Sequence, residues 1–231
     1  MPEMQVKSTK MIDLSKSSMT KTASELHEAV PPDWYFRSIR ENILQRYWHR
    51  RRFTEVSKLI EPTGGKILDI GCADGMFTKV ILDKSHAETI IGIDVLESSV
   101  DWANKHWKNY PEMKFRIGDA HNLDIKPETF DAVFALEVLE HVFKPIDVLR
   151  EIKRVLKKGG YAIFLVPSDS LLFRVIWFFW TKFRGKIWKE THIQTYRNNY
   201  LPRLSRQTGF MVEVSKKFLL GMLHLIKVRK I

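Results

Sequence analysis

The chain has 231 residues, 44% of them hydrophobic, which is sufficient for one domain with a sizeable buried core. A formal charge of +11, from 38 basic and 27 acidic residues, favours anionic surroundings but does not choose between nucleic acid, phospholipid headgroups and acidic substrates. The single cysteine, Cys72, excludes an intramolecular disulfide framework and any multi-cysteine zinc site, which suits a reducing, cytoplasmic compartment.

The N-terminal part divides into two segments. Residues 1–24 are rich in Ser, Thr and Lys and contain no apolar block that would serve as a secretory signal, so we expect a flexible tail. Residues 25–62 are expected to form a helical cap, because apolar residues recur at helical spacings from about position 33 to position 60. A basic cluster lies in the middle of this segment, at 49–52. Residues 63–231 are expected to form the main domain.

Strands and helices alternate regularly along the first part of this domain. Short apolar runs typical of buried strands are separated by segments with helical periodicity, which predicts a parallel sheet with helices on both faces. The predicted strands are 66–70, 89–94, 113–118, 130–137 and 161–167. The predicted helices are 77–84, 98–107 with capping serines at its start, and 145–160 with a closing glycine pair.

The end of the chain breaks this alternation. An aromatic insertion at 169–190 is followed by a predicted helix within 197–209. Two apolar runs, 210–218 and 222–230, then follow with no helical segment between them, so the simplest pairing is antiparallel. The expected fold class is α/β: a seven-stranded sheet with helices on both faces, mostly parallel, with a C-terminal antiparallel hairpin.

The stretch LDIGCADG, at 68–75, follows the first predicted strand. Its glycines, Gly71 and Gly75, allow close approach of the backbone to a ligand, and the next helix presents its positive N-terminus there. Ligands of open α/β sheets bind at this edge, where the strand order reverses. A glycine turn alone is not specific, because many such turns are glycine-rich for packing reasons.

Two later acids make the turn more specific. Asp94 ends the second strand, where a carboxylate can accept hydrogen bonds from both hydroxyls of an unphosphorylated ribose. Asp119 follows the third strand, where a carboxylate can accept a hydrogen bond from the exocyclic amine of adenine. Either acid alone would also fit a solvated strand end. Together with Asp69 they suit a nucleoside ligand with a positive charge and no phosphate.

With these motifs in this order, the sequence resembles the class I S-adenosylmethionine-dependent methyltransferases of Rossmann-like fold, in particular type 11 and quinone-pathway O-methyltransferases. The resemblance runs from about Gly64 to the C-terminus and rests on LDIGCADG, GID, GDAHNL, FDAVFALEVLEHV and LKKGGYAIFLVPS. It implies S-adenosylmethionine as the cofactor. One departure is Ala73, where many relatives have a third glycine.

The resemblance also implies a set of cofactor-binding residues. Asp69, Gly71 and Gly75 would hold the methionine end of the cofactor, and Asp94 its ribose. Asp119 and Ala120 would hold the adenine. The full set is Asp69, Gly71, Cys72, Gly75, Asp94, Val95, Asp119, Ala120, Leu136 and Glu137. Cys72 is expected to act only as a small buried residue.

Two histidines are candidate general bases for methyl transfer. His141 and His192 both follow predicted strand ends on the ligand side of the sheet. In some relatives a similar Glu-x-x-Glu-His cluster, here Glu137, Glu140 and His141, binds a divalent metal. We favour no metal, because the same string is common in relatives without one.

The sequence does not decide which class of molecule accepts the methyl group. The apolar stretch 171–180 is too short to span a bilayer, but 171–184 combines aromatic residues with cations and would suit contact with an anionic membrane surface. The same segment also fits a helix packed onto the domain. We expect a cytoplasmic methyltransferase acting on a small or lipid-like acceptor, with O-methylation favoured. The alternatives are an RNA methyltransferase and a non-catalytic S-adenosylmethionine-binding protein.

Overall fold

The computed structural model describes residues 30–183, 193–197 and 199–231. Its single sheet has seven strands in the order β3-β2-β1-β4-β5-β7-β6. The strands are β1 (Lys66–Ile70), β2 (Thr89–Asp94), β3 (Met113–Ile117), β4 (Phe130–Leu136), β5 (Leu156–Pro167), β6 (Phe210–Phe218) and β7 (Leu223–Lys230). The first five are parallel, and β7 is antiparallel to both β5 and β6, which confirms the predicted fold class.

Helices cover both faces of the sheet. They are α1 (Trp34–Glu41), α2 (Ile43–Ser57), α3 (Met76–Ser85), α4 (Glu97–His106), α5 (Pro145–Val155), α6 (Leu171–Phe183) and α7 (Tyr200–Gln207), with a 3-10 turn at Leu139–His141. No helix within the described ranges is long and apolar enough to cross a membrane. The predicted tail at 1–24 lies outside the described residues.

The core forms two layers because the strands are buried on both faces. Side chains alternate across a strand, so Ala132 and Phe134 of β4 join one hydrophobic cluster while Val133 and Ala135 join the other. All four side chains are fully buried. This explains why β4 is a continuous apolar run, as expected for the centre of a parallel sheet covered by helices.

Two predicted element boundaries are wrong. The helix predicted over 145–160 ends at Val155, and its last five positions begin β5 instead. Leu156 pairs with Phe130, and the register shifts before the next pairs. Gly159, at φ 77°, therefore lies in an irregular stretch of the strand and does not close a helix. Glycine within a strand often marks such an irregularity.

The serines predicted to cap α4 do not cap it. The helix begins at Glu97, and its N-cap residue, Leu96, makes no side-chain capping hydrogen bond. The Leu96 N–H instead donates to the Asp94 carboxylate at 2.9 Å. Ser98 and Ser99 lie within the first turn of the helix. An acid at the end of the preceding strand thus fixes the start of α4.

Candidate active site

A cavity of about 120 Å³ lies at the carboxyl edge of the sheet, between β1 and β4, where the strand order reverses. The strand ends bring together residues that are far apart in sequence. The predicted cofactor-binding residues in its wall are Gly71, Asp94, Val95, Asp119, Ala120 and Glu137. The N-terminal segment covers the cavity through Trp34 and Tyr35.

The turn after β1 needs its glycines for packing as well as for conformation. Gly71 has φ 68°, and a Cβ there would lie 2.4 Å from Cγ2 of Val138. Gly75 has φ 78°, and a Cβ there would lie 2.7 Å from Nε1 of Trp107. The backbone N–H of Gly71 donates to the Ile93 carbonyl at 2.8 Å, which ties the turn to β2. A larger residue at either glycine would displace the turn.

The Asp94 carboxylate holds this turn against the start of α4. Its Oδ2 accepts from the Ala73 N–H at 3.0 Å, and its Oδ1 accepts from the Leu96 N–H at 2.9 Å. Ala73 has φ 45°, in the left-handed region that favours glycine, at the position where many relatives have one. The carboxylate that the sequence predicts for the ribose is thus oriented by two backbone groups in the cavity wall.

Asp119 is held by a single neighbouring histidine. Its Oδ1 accepts from the backbone N–H of His121 at 2.9 Å and contacts His121 Nδ1 at 2.8 Å. The Lys144 N–H donates to His121 Nε2 at 3.3 Å, so Nε2 is unprotonated and Nδ1 donates to Asp119. The Asp119 side chain is 61% exposed, which leaves it accessible to a ligand in the cavity.

Four of the predicted cofactor-binding residues, Asp69, Cys72, Gly75 and Leu136, lie behind the cavity wall. Asp69 is buried and its Oδ2 accepts from Thr78 Oγ1 at 2.6 Å; burial raises the pKa of this carboxyl to about 7. Cys72 is buried beside Gly92, and burial raises the pKa of its thiol. Their contact with a cofactor stays a prediction.

Asp74 is a residue of the first cavity wall that the sequence reasoning did not single out. Its Oδ2 accepts from the Phe36 N–H at 2.8 Å, so it serves as the acceptor for the first turn of α1. Asp33, the N-cap residue of α1, makes no side-chain capping bond. Burial raises the pKa of the Asp74 carboxyl to about 6. This contact fastens the N-terminal helices across the glycine turn.

A second cavity, of about 280 Å³, adjoins the first. The two share four wall residues: Trp34, Tyr35, Glu137 and His141. The second cavity is lined mainly by aromatic and aliphatic side chains from α2, α6 and the N-terminal segment. They include Trp48, Leu44, Phe173, Ile176, Trp177 and Trp180. The larger cavity is therefore mainly apolar, and the Glu137 carboxylate and the His141 imidazole lie where the two cavities meet.

A buried ion pair between Arg52 and Glu137 lies at this junction. Arg52 is 2% exposed, and its Nη1 donates to Glu137 Oε2. Its Nη2 donates to His49 Nδ1, so His49 is neutral and carries its proton on Nε2, which lies 3.1 Å from Ser38 Oγ. Burial, and then the Arg52 charge, lowers the pKa of His49 to about 2. The network joins α1 and α2 to the end of β4.

The comparisons with known proteins agree with this geometry. Residues 68–164 match a family model described as "Methyltransferase domain". The ubiquinone biosynthesis O-methyltransferase of Pseudomonas entomophila is 30% identical over 138 residues, which cover 54% of this chain and 59% of that enzyme. The chain therefore contains a methyltransferase domain at residues 68–164, as its resemblance to the class I S-adenosylmethionine-dependent enzymes predicted. It spans little more than half the length of this curated relative.

Solved structures share the fold of this methyltransferase domain. A chain from the complex between the Haloferax volcanii Trm112 methyltransferase activator and a methyltransferase superposes with a TM-score of 0.68 at 16% identity, over 86% of this chain and 96% of that chain. The [4+2]-cyclase SpnF superposes with a TM-score of 0.69 at 17% identity, over 92% of this chain and 97% of the cyclase chain. Because a cyclase is among them, these likenesses show the fold alone.

The Glu-x-x-Glu-His cluster of the methyltransferase domain is divided between different environments. Glu137 is paired with Arg52, while Glu140 is 1% exposed in the second cavity wall. Within the described ranges, no group of three or more His, Cys, Asp or Glu side chains is placed to hold a metal ion. His141 lines both cavities. The other candidate base, His192, lies outside the described residues.

Glu140 gives the methyltransferase domain a specific pH dependence of stability. Burial, with a smaller contribution from Asp169, raises the pKa of its carboxyl to about 8, whereas an unfolded glutamate titrates at about 4.3. The folded state therefore binds the extra proton, and the stability that this group contributes falls as pH rises between these values. We expect Glu140→Gln to be more stabilising at pH 8 than at pH 5, as measured by urea unfolding. An equal effect at both pH values would contradict this assignment.

Proposed function

We propose that this protein transfers a methyl group from S-adenosylmethionine to an oxygen of a small or lipid-like, largely apolar acceptor. One observation supports this above all: an acid-lined cavity at the strand ends shares a wall with a larger aromatic cavity. Two adjoining cavities, one with acids from the strand ends in its wall and the other mainly aromatic, suit two reactants that must meet at their junction. Alignment in a dry site is the main contribution an enzyme makes to such a transfer.

The first cavity fits the cofactor by the chemistry of its wall. Asp94 would bind the ribose hydroxyls, and Asp119 would bind the adenine amine. The tight turn at Gly71 brings the backbone close to the methionine end. When bound, S-adenosylmethionine supplies an electrophilic methyl group. Trp34 and Tyr35 would close the site from the N-terminal side and exclude water.

The second cavity fits an apolar acceptor with a polar end. Aromatic side chains such as Trp48, Trp177 and Trp180 would pack against a planar or aliphatic body. An oxygen acceptor must lose a proton, and His141 lies at the junction where a base would act. The ubiquinone pathway relative, named as an O-methyltransferase, supports oxygen as the acceptor atom.

Methyl transfer is tested directly with radiolabelled S-adenosylmethionine and a panel of hydroxylated aromatic compounds. We expect label in the products, and loss of about 10²-fold or more in kcat for His141→Asn if its imidazole is the base. The cofactor-induced rise in melting temperature should be retained in that variant. Transfer to none of the compounds, or no thermal response to the cofactor, would count against the proposal.

We further propose that the acceptor is presented from an anionic membrane surface. Leu44 and Ile176 line the second cavity and are themselves exposed, so its mouth opens beside an exposed apolar face. On α6 this face continues through Phe178 and Phe179, which are 61% and 56% exposed. Exposed cations flank it, including Arg174. Such a surface suits partial insertion beside acidic headgroups.

Vesicle binding tests this contact. The double variant Phe178→Ser/Phe179→Ser should bind vesicles containing phosphatidylserine with an affinity at least about tenfold lower. Both substitutions remove apolar surface that would be transferred from water into the membrane. Met211→Ser, which changes an exposed apolar residue on β6, is the matched control and should bind normally. Equal binding by the two variants would contradict the proposal. Tight, steeply salt-dependent binding to RNA but not to vesicles would favour the RNA alternative.

A further inference from the structure

Two buried polar atoms in the wall of the second cavity have no hydrogen-bond partner among the described residues. They are Nε of Arg52 and Oε2 of Glu140. Both residues line the cavity, and they are 2% and 1% exposed. Buried donors and acceptors are almost always paired in folded proteins, because an unpaired one loses its hydration without compensation. Two such atoms on one cavity wall therefore indicate a group that pairs with them when it binds.

The Arg52 side chain and the backbone of Glu140 are held in place by their other contacts. The two terminal nitrogens of Arg52 donate to Glu137 and His49, which fixes the plane of the guanidinium. The backbone carbonyl of Glu140 accepts from the N–H groups of Ile193 and Gln194, at 2.9 and 3.0 Å. The two side chains also influence each other's pKa, so they lie within electrostatic range. The Arg52 guanidinium and the backbone that carries Glu140 are thus fixed before a ligand binds.

We propose that Arg52 and Glu140 bind a hydroxyl group of the acceptor, with the hydroxyl oxygen accepting from Arg52 Nε–H and the hydroxyl exchanging a hydrogen bond with Glu140 Oε2. A hydroxyl both donates and accepts, so it pairs with a carboxyl in either protonation state, whereas an ether oxygen only accepts. This inference rests on the proposed role of the second cavity as the acceptor site. It selects an apolar, ring-containing alcohol or phenol over the corresponding hydrocarbon or ether.

Equilibrium dialysis with two probes of similar shape, 2-naphthol and 2-methylnaphthalene, tests the proposal. We expect the preference for 2-naphthol to fall about tenfold in Glu140→Leu relative to the unmodified protein. Glu140→Gln should keep most of the preference, since an amide also donates and accepts. Gln207→Leu, which changes an exposed polar residue at the end of α7 that lines neither cavity, is the control and should leave the preference unchanged.

Several results would overturn the inference. One is an unchanged preference in folded Glu140→Leu, and another is no binding of either probe to the unmodified protein. A third is a preference lost as fully in Glu140→Gln as in Glu140→Leu, with 2-naphthol binding also lost in a chelator. That result would show that a metal ion, and not a hydroxyl, is the group that pairs with Glu140. Methyl transfer without a hydroxyl preference would remove this inference and leave the proposed function. A hydroxyl preference without any cofactor response would leave a hydroxyl-binding site but remove the proposed function, and with it the assignment of that hydroxyl to a methyl acceptor.

Discussion

Asp94→Ala is expected to weaken binding of the demethylated cofactor, S-adenosylhomocysteine, by roughly 100-fold or more. In the proposed complex the carboxylate accepts from two ribose hydroxyls, and hydrogen bonds to a charged group contribute about 1.5–3 kcal/mol each. The variant also loses the bonds from Ala73 and Leu96 that orient the turn and the start of α4. Isothermal titration measures the affinity, and the rise in melting temperature with ligand gives an independent reading.

Two further variants make this prediction specific. Asp94→Asn keeps the shape and one acceptor oxygen, so its affinity should lie between those of the unmodified protein and Asp94→Ala. Asp119→Ala should lower the affinity for S-adenosylhomocysteine only about tenfold. This side chain is 61% exposed, and an exposed hydrogen bond contributes less than a buried one. Equal affinities for Asp94→Ala and the unmodified protein would refute the assignment of this cavity to the cofactor.

The fold was predictable because its signals are local and repeat. Each buried strand appears in the sequence as a short apolar run, and the glycine turn at 71–75 follows the first of them. The parallel topology then brings the carboxyl ends of β1, β2 and β3 to one edge, so Asp94 and Asp119 were predicted as neighbours without knowledge of any contact. The boundary between α5 and β5 was missed, because glycines mark the end of a helix and an irregular strand alike.

The contacts of the N-terminal helices were not predictable in the same way. The bond from Phe36 to Asp74 joins residues 38 apart, and the pair Arg52–Glu137 joins residues 85 apart. No local pattern records such contacts. Within the basic cluster, residue type does not distinguish buried Arg52 from exposed Arg50. The spacing in the sequence does indicate one contact. Arg52 comes three positions after His49, so the two side chains lie on the same face of a helix.

Arg52→Leu is expected to lower the free energy of unfolding by about 3 kcal/mol, near the low end for breaking a buried ion pair. The variant leaves Glu137, whose side chain is 17% exposed, without its cationic partner and leaves His49 without its donor. For a chain of this length the melting temperature should fall by about 6–12 °C. Urea unfolding followed by circular dichroism measures the change.

Matched variants separate the charge pair from the general effect of removing an arginine. Arg51→Leu changes a side chain that is 41% exposed and pairs with Glu55 at 3.4 Å, so its effect should stay below about 1 kcal/mol. The double variant Arg52→Leu/Glu137→Leu should recover much of the lost stability, because no uncompensated charge remains. It should nevertheless fail to transfer methyl groups, since Glu137 lines both cavities. Full activity in the stable double variant would show that the pair serves folding alone.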